Sequence, residues 1–139
     1  KKSKMAEFYS SASGSFVLEE GKTIHVEDKA FMKKLLKLID ENIQDPTLSV
    51  SSLADKLAIS LRMLYRRLES VSDVKPQKLI KDVRMAKTEK LLLTTKLNID
   101  EIMYRVGYDN RSTFYKNFKE HYGMTPKEYR DNAHKSVRK

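Results

Sequence analysis

The stretch Ile99-Asp-Glu-Ile-Met-Tyr-Arg-Val-Gly-Tyr108, followed by Asn110-Arg-Ser-Thr-Phe-Tyr-Lys-Asn-Phe-Lys119, decides the fold. Asp100 is placed to cap a first short helix, and Gly107 stands just past its end, where a positive φ is commonly needed. Asn110 is placed to cap a longer second helix, in which two phenylalanines four residues apart share one face. The stretch therefore predicts two helices joined by a tight turn.

The same pattern occurs earlier in the chain, at an offset of 49 residues in the first helix and 50 in the second. Ser51 and Ser60 are the predicted caps there, and Ala58 stands at the turn. Two such units indicate tandem helix-turn-helix motifs, and two ordinary helical hairpins are the alternative. The matched apolar positions are Leu53, Leu57, Leu64 and Leu68 in the first unit and Ile102, Val106, Phe114 and Phe118 in the second.

The rest of the chain also shows helical periodicity, so we predict an all-α fold of about seven helices. Asp28 is the predicted cap of the first helix, which Pro46 brings to an end. A helix over about 76–94 is predicted to join two helix-turn-helix subdomains. The predicted divisions are a linker or docking arm at 1–28, subdomains at 29–75 and 97–133, a linker helix at 76–96 and a basic tail at 134–139.

Composition excludes several classes of protein and favours a polyanionic partner. The 139 residues carry 28 Lys and Arg against 19 Asp and Glu, a formal charge of +9, and contain no Cys. Without Cys there is no disulfide scaffold and no thiolate chemistry. Apolar runs are far shorter than the ~18 residues of a membrane helix, and the first residues do not resemble a signal peptide. The excess of basic over acidic residues favours nucleic acid or an anionic membrane surface as the partner.

Catalytic and metal chemistry are not expected in this sequence. His25, His121 and His134 lack the spacing of metal ligands, and no phosphate loop or nucleophile elbow is present. We therefore expect a protein that is not an enzyme and has no cofactor.

The second helix of each unit has an outward face suited to reading DNA. Residues 61–68 and 110–119 contain no acidic side chain. Arg forks onto guanine, while hydroxyl and apolar groups meet other base edges in the major groove. A solvated face that merely lacks acids is the alternative. The candidate base-reading residues are Arg62, Tyr65, Arg66, Arg111, Ser112, Tyr115 and Lys116.

Other polar residues on or beside these helices are candidates for phosphate contacts, which set affinity and register rather than specificity. The linker helix carries five cations that we expect to contact phosphate or solvent: Lys78, Lys81, Arg84, Lys87 and Lys90. The candidate phosphate contacts are Ser60, Arg67, Lys78, Asn110, Asn117 and Lys119.

The chain resembles the DNA-binding domain of AraC/XylS-type transcription regulators over about residues 30–132. The resemblance rests on Leu53-Ala-Asp-Lys-Leu-Ala-Ile-Ser60, Val83-Arg-Met-Ala-Lys87, the stretch 99–108, and Thr125-Pro-Lys-Glu-Tyr-Arg130. It implies a homeodomain-like tandem whose second helices enter successive major grooves of double-stranded DNA, and contact with RNA polymerase. Ala58, Leu68, Asp73 and Met103 depart from the family pattern, so a target sequence does not transfer.

The N-terminal arm is similar to the region ahead of the output domain in hybrid two-component regulators of Bacteroides-type bacteria. This implies an upstream receiver and sensor, and a sugar-binding effector domain is the alternative. We expect a cytoplasmic transcription activator without membrane contact by this segment, with a homodimer formed through regions outside the chain. A helical protein–protein interaction module and a nonspecific nucleic-acid binder remain rival hypotheses.

Overall fold

The computed structural model describes residues 26–137, which form seven α-helices joined by short connections. The helices are α1 (Val26–Glu41), α2 (Val50–Leu57), α3 (Leu61–Val71), α4 (Pro76–Thr94), α5 (Ile99–Arg105), α6 (Arg111–Tyr122) and α7 (Pro126–Val137). The all-α prediction is confirmed for the described residues. Helix α1 ends at Glu41, five residues before Pro46, so the prediction that this proline ends it is wrong. The backbone and side-chain amides of Asn42 both donate to the Leu38 carbonyl at that end. The predicted docking arm lies, up to residue 25, outside the described residues, as do residues 138 and 139 of the predicted basic tail.

The helices form two compact units. The first contains residues 47–83 with α1, and the second contains residues from 84 onward together with the short segment Ile43–Pro46. Helix α4 contributes to both, since Leu79 and Val83 are buried in the first unit and Met85 and Leu92 in the second.

The first unit is built around α3, whose Leu64 and Leu68 are fully buried. Ser60 caps α3, as the sequence predicts, and its hydroxyl oxygen accepts from the Met63 amide at 3.0 Å. The turn before it passes through Ala58, which has a left-handed conformation with φ of 57°. A non-glycine residue there costs about 1–2 kcal/mol of conformational energy.

The prediction that Ser51 caps α2 is wrong. Ser49 is extended and accepts from the Ser52 amide at 3.1 Å, while the Ser49 amide donates to the Ser52 hydroxyl at 2.9 Å. This reciprocal capping box begins the helix two residues earlier, so that Ser51 lies in its first turn.

The second unit repeats this design with a different cap from the predicted Asp100. Asn98 caps α5, and its side-chain oxygen accepts from the Glu101 amide at 2.8 Å. Glu101 returns the interaction by accepting from the Asn98 amide, so Asp100 falls in the first turn. An acid there still complements the helix dipole. Gly107 has a φ of 89°, which confirms the positive φ predicted there, and Gly123, just past the end of α6, has a φ of 78°.

Both ends of the described chain differ from the predicted boundaries. Helix α1 begins at Val26, so Asp28 lies within it rather than capping it. Helix α7 continues to Val137, so the second subdomain extends past residue 133 into the predicted tail. At the start of α7 the Thr125 amide donates to the Glu128 carboxylate at 2.9 Å, and the Glu128 amide donates to the Thr125 hydroxyl oxygen at 3.2 Å. Hydrogen bonds from the Thr125 backbone and side chain to the carboxylate lower the pKa of Glu128.

The structure also corrects the prediction made for Arg84 on α4. It is only 8% exposed and lies inside the second unit. The prediction that it contacts phosphate or solvent is therefore wrong. Its apolar neighbours along α4 extend the buried face, and periodicity alone does not reveal that a cation occupies part of it.

Candidate nucleic-acid interface

Helices α3 and α6 have the same order of buried and exposed positions over residues 61–70 and 111–120. In each, the fourth and eighth positions are buried, the fifth and seventh are half-buried, and the other six are exposed. The repeat seen in the sequence is therefore a repeat of side-chain environment, and it leaves corresponding faces open on the two helices.

On α3 the predicted base-reading residues lie together on the open face. Arg62 and Arg66 are exposed and lie one helical turn apart. Tyr65 is half-buried, and its hydroxyl oxygen accepts a 2.6 Å hydrogen bond from the Gln77 side-chain amide. This bond orients the phenol, and the hydroxyl hydrogen stays available to a further acceptor.

The two first-unit cations assigned to phosphate already have partners. The Arg67 guanidinium lies 4.3 Å from the centre of the Phe31 ring. Lys78 forms an ion pair with the buried Asp82 carboxylate at 2.9 Å. Both would have to share or exchange these partners in order to reach a phosphate.

On α6 the predicted residues again share the open face. Asn110 caps the helix by accepting from the Thr113 amide at 2.9 Å, and Ser112 and Lys116 are exposed. Tyr115 is half-buried and meets the Phe114 ring edge-on at 5.7 Å. This packing orients the Tyr115 ring at the border of the core.

Arg111, on the same face, forms an exposed ion pair with Asp100 at 2.6 Å. The contact joins the start of α6 to the first turn of α5. A bound anion at Arg111 would compete with this carboxylate.

Asn117, a predicted phosphate contact, is half-buried and already has a partner. Its side-chain amide donates to the Tyr108 hydroxyl at 2.9 Å, and burial of Tyr108 raises the pKa of that phenol. Lys119 is exposed, and its carbonyl accepts from the Gly123 amide at 2.7 Å, which closes α6.

Sequence reasoning did not select two exposed apolar side chains in the first turn of α3. Leu61 is 43% and Met63 40% exposed. In the register of the repeat they correspond to Arg111 and Thr113 on the open face of α6. This correspondence is the sequence signal by which they could have been selected. Apolar groups at such positions suit the methyl group of thymine.

Within residues 26–137 we find no cluster of side chains suited to hold a metal ion. No helix in that range is long and apolar enough to cross a membrane.

Known proteins share both the sequence pattern and the fold. A family model described as a helix-turn-helix domain matches residues 53–132. Histidine kinase P4 of Formosa agariphila is 28% identical over 109 residues, which are 78% of this chain and 8% of that protein. The virulence regulon transcriptional activator VirF of Shigella flexneri is 30% identical over 100 residues, 72% of this chain and 37% of that protein.

Among solved structures, the C-terminal domain of the two-component response regulator yesN from Fusobacterium nucleatum superposes with a TM-score of 0.67. The two are 32% identical, and the match covers 73% of this chain and 98% of that domain. The chain spans less than half the length of the two curated relatives named above.

Proposed function

Because the chain belongs to the helix-turn-helix domain family, as a member of the AraC/XylS type, we propose that it is a sequence-specific DNA-binding output domain of a transcription regulator. One observation carries the proposal. Helices α3 and α6 present equivalent open faces, each with a cation and a tyrosine at matching positions: Tyr65 and Arg66 on one, Tyr115 and Lys116 on the other.

In this mechanism each unit reads its own short box of double-stranded DNA. Arg62, Tyr65 and Arg66 on α3, and Arg111, Ser112, Tyr115 and Lys116 on α6, contact base edges. The helices enter successive major grooves, about 34 Å apart along one side of the duplex.

Phosphate contacts supply the salt-dependent part of affinity and fix the register of both helices. We assign these contacts to Ser60, Arg67, Lys78, Asn110, Asn117 and Lys119. The ion pair of Lys78 and the ring contact of Arg67 should reduce the number of counterions released at these two residues, and the salt dependence of binding measures their share.

In the whole protein, signals reach this domain from a preceding receiver and sensor. The match to a small part of a histidine kinase and to the output end of a response regulator supports this arrangement over a sugar-binding effector domain. We further propose that the protein acts in the cytoplasm, dimerises through regions outside this chain, and activates transcription by contacting RNA polymerase.

The decisive experiment is selection of bound duplexes from a random pool, at about 150 mM salt to suppress nonspecific attachment. Specific tandem reading yields a motif of two short boxes one helical turn apart. Binding without an enriched motif identifies a nonspecific binder, and absence of binding at low salt favours a protein-interaction module. In either of these cases the proposal fails.

Two variants assign the boxes to the helices. Arg66→Ala should relax base preference in one box and Lys116→Ala in the other. Lys33→Ala, which removes an exposed cation of α1, is the matched control and should leave both boxes intact.

A further inference from the structure

A groove of about 420 Å³ lies in the first unit, where the start of α1, the end of α2 and α3 meet. Four of its six lining residues are apolar and two are cations. The lining consists of Ala30, Phe31, Lys34, Leu57, Ile59 and Arg67.

We propose that this groove binds residues 16–20 of the same chain, Phe16-Val-Leu-Glu-Glu20. Three apolar residues are followed directly by two acids, which complements an apolar groove that carries two cations. In this arrangement the side chains of Phe16, Val17 and Leu18 contact those of Phe31, Leu57 and Ile59. Glu19 and Glu20 pair with Lys34 and Arg67, the two cations that line the groove.

The tether between segment and groove has a suitable length. Five residues separate Glu20 from Val26, so the connection spans at most about 20 Å when extended. Ala30 lies only about 6 Å along α1 from Val26, because an α-helix rises 1.5 Å per residue.

A short tether also makes weak contacts sufficient. A segment held this close to its site has an effective concentration in the millimolar range. The same sequence on a separate molecule lacks this advantage, which favours the chain's own segment over a second copy as the occupant.

Docking has a consequence for DNA binding that rests on the proposed function, although docking itself does not. A carboxylate paired with Arg67 withholds that guanidinium from phosphate. The N-terminal segment thereby links whatever precedes it to the affinity of the first unit.

The test uses the full 139-residue chain without DNA. The chain has no Cys, so Gly21→Cys creates a single site for a paramagnetic spin label. We expect the label to broaden the amide NMR signals of Leu57 and Ile59, which are more than 30 residues away in sequence. The pair of changes Phe16→Ser and Leu18→Ser should remove most of this broadening, and Ser11→Ala with Ser13→Ala should not.

Charge exchange provides the second arm. Glu19→Lys with Glu20→Lys should weaken the broadening, and adding Lys34→Glu should restore part of it. Equal broadening with and without Phe16 and Leu18 would mean that the tether alone brings the label close, and the proposal would be wrong.

A mixing experiment tests the other occupant. If spin-labelled chains broaden Leu57 and Ile59 of unlabelled isotopically enriched chains, a second copy fills the groove and the proposal is overturned. Failure of duplex selection, by contrast, leaves every one of these outcomes unchanged, because DNA is absent from the measurement.

Discussion

The Arg84 guanidinium donates a 2.8 Å hydrogen bond from Nη2 to the backbone carbonyl of Asp45, 39 residues earlier in the chain. The same guanidinium lies 5.6 Å from the centre of the Tyr108 ring. Burial lowers the pKa of Arg84, and the charges of Tyr108 and Asp45 oppose that effect. One buried cation thus attaches the segment after α1 to the turn between α5 and α6.

Gly107 is the residue on which this attachment depends most. A Cβ at Gly107 would stand 2.1 Å from the Ile43 carbonyl oxygen, and its φ of 89° already disfavours a side chain. We expect Gly107→Ala to lower the free energy of unfolding by more than about 2 kcal/mol, since a backbone atom has little room to yield. Urea denaturation measures the change.

Gly123→Ala is the matched control for that variant. Its φ is 78°, but nothing lies within 4 Å of the added Cβ. Only the left-handed conformation is penalised, by about 1–2 kcal/mol. Equal losses for the two alanines would contradict the close approach of Gly107 to Ile43.

Arg84→Lys should be destabilising although it keeps the charge. An ammonium does not reproduce the flat guanidinium that both stacks on Tyr108 and reaches Asp45, and a hydrogen bond from a charged donor contributes about 1.5–3 kcal/mol. The control is Lys127→Ala, which breaks an exposed ion pair with Asp131 and should change the free energy of unfolding by less than about 1 kcal/mol. Thermal unfolding of the two variants at one pH compares them, and similar midpoints would refute the role given to Arg84.

Arg130 binds backbone carbonyls at the end of α4 and just after it. We expect its replacement to lower the free energy of unfolding as much as the loss of a core side chain. It donates to the carbonyls of Leu92 at 3.1 Å, Leu97 at 2.6 Å and Thr95 at 3.2 Å. Arg130→Ala leaves these acceptors to water or unpaired, at a cost of about 2–3 kcal/mol. Arg130→Lys should recover only part of the loss, and full recovery would show that charge alone matters.

Alkaline pH should weaken the second unit through Tyr129. Its hydroxyl donates to Glu89 Oε2, and burial together with that carboxylate raises the pKa of the phenol from 10 to about 12. A raised pKa favours the protonated phenol in the folded state, so its contribution is complete below pH 10 and is lost as pH rises towards 12. Unfolding free energies across this interval, with Tyr129→Phe as comparison, measure it. An equal slope in the variant would exclude Tyr129 as the source.

Asp100 is expected to restrain DNA binding rather than support the fold. Its ion pair with Arg111 is exposed, and such pairs contribute little to stability. Asp100→Asn should leave the unfolding free energy within about 0.5 kcal/mol and tighten binding to the selected duplex several-fold, because it removes a negative charge beside a base-reading arginine. Weaker binding would show that Asp100 instead positions Arg111 for its contact.

The sequence by itself determined the all-α class, the tandem repeat and the inward positions Leu64, Leu68, Phe114 and Phe118. These follow from the 3.6-residue period and from turn residues such as Gly107, whose constraints are local. The same local reasoning identified Ser60 and Asn110 as caps, because a cap contacts an amide only three residues away.

Competition among several capping residues was harder to predict. Ser49 precedes Ser51 and Asn98 precedes Asp100, and each choice depends on a partner three residues later that returns the hydrogen bond. The partner side chains, Ser52 and Glu101, were present in the sequence, but their geometry distinguishes the true cap from its neighbour.

Only the tertiary structure decided what the polar residues of α4 and α6 do. Arg84 and Asn117 have the composition of surface residues, yet one bonds to Asp45 and the other to Tyr108. Periodicity indicates which side of a helix faces inward. It does not indicate which backbone carbonyl or hydroxyl, distant in sequence, lies within hydrogen-bond distance on that side. The long-range partner, and with it the difference between a structural cation and a DNA-facing one, exists only once the chain has folded.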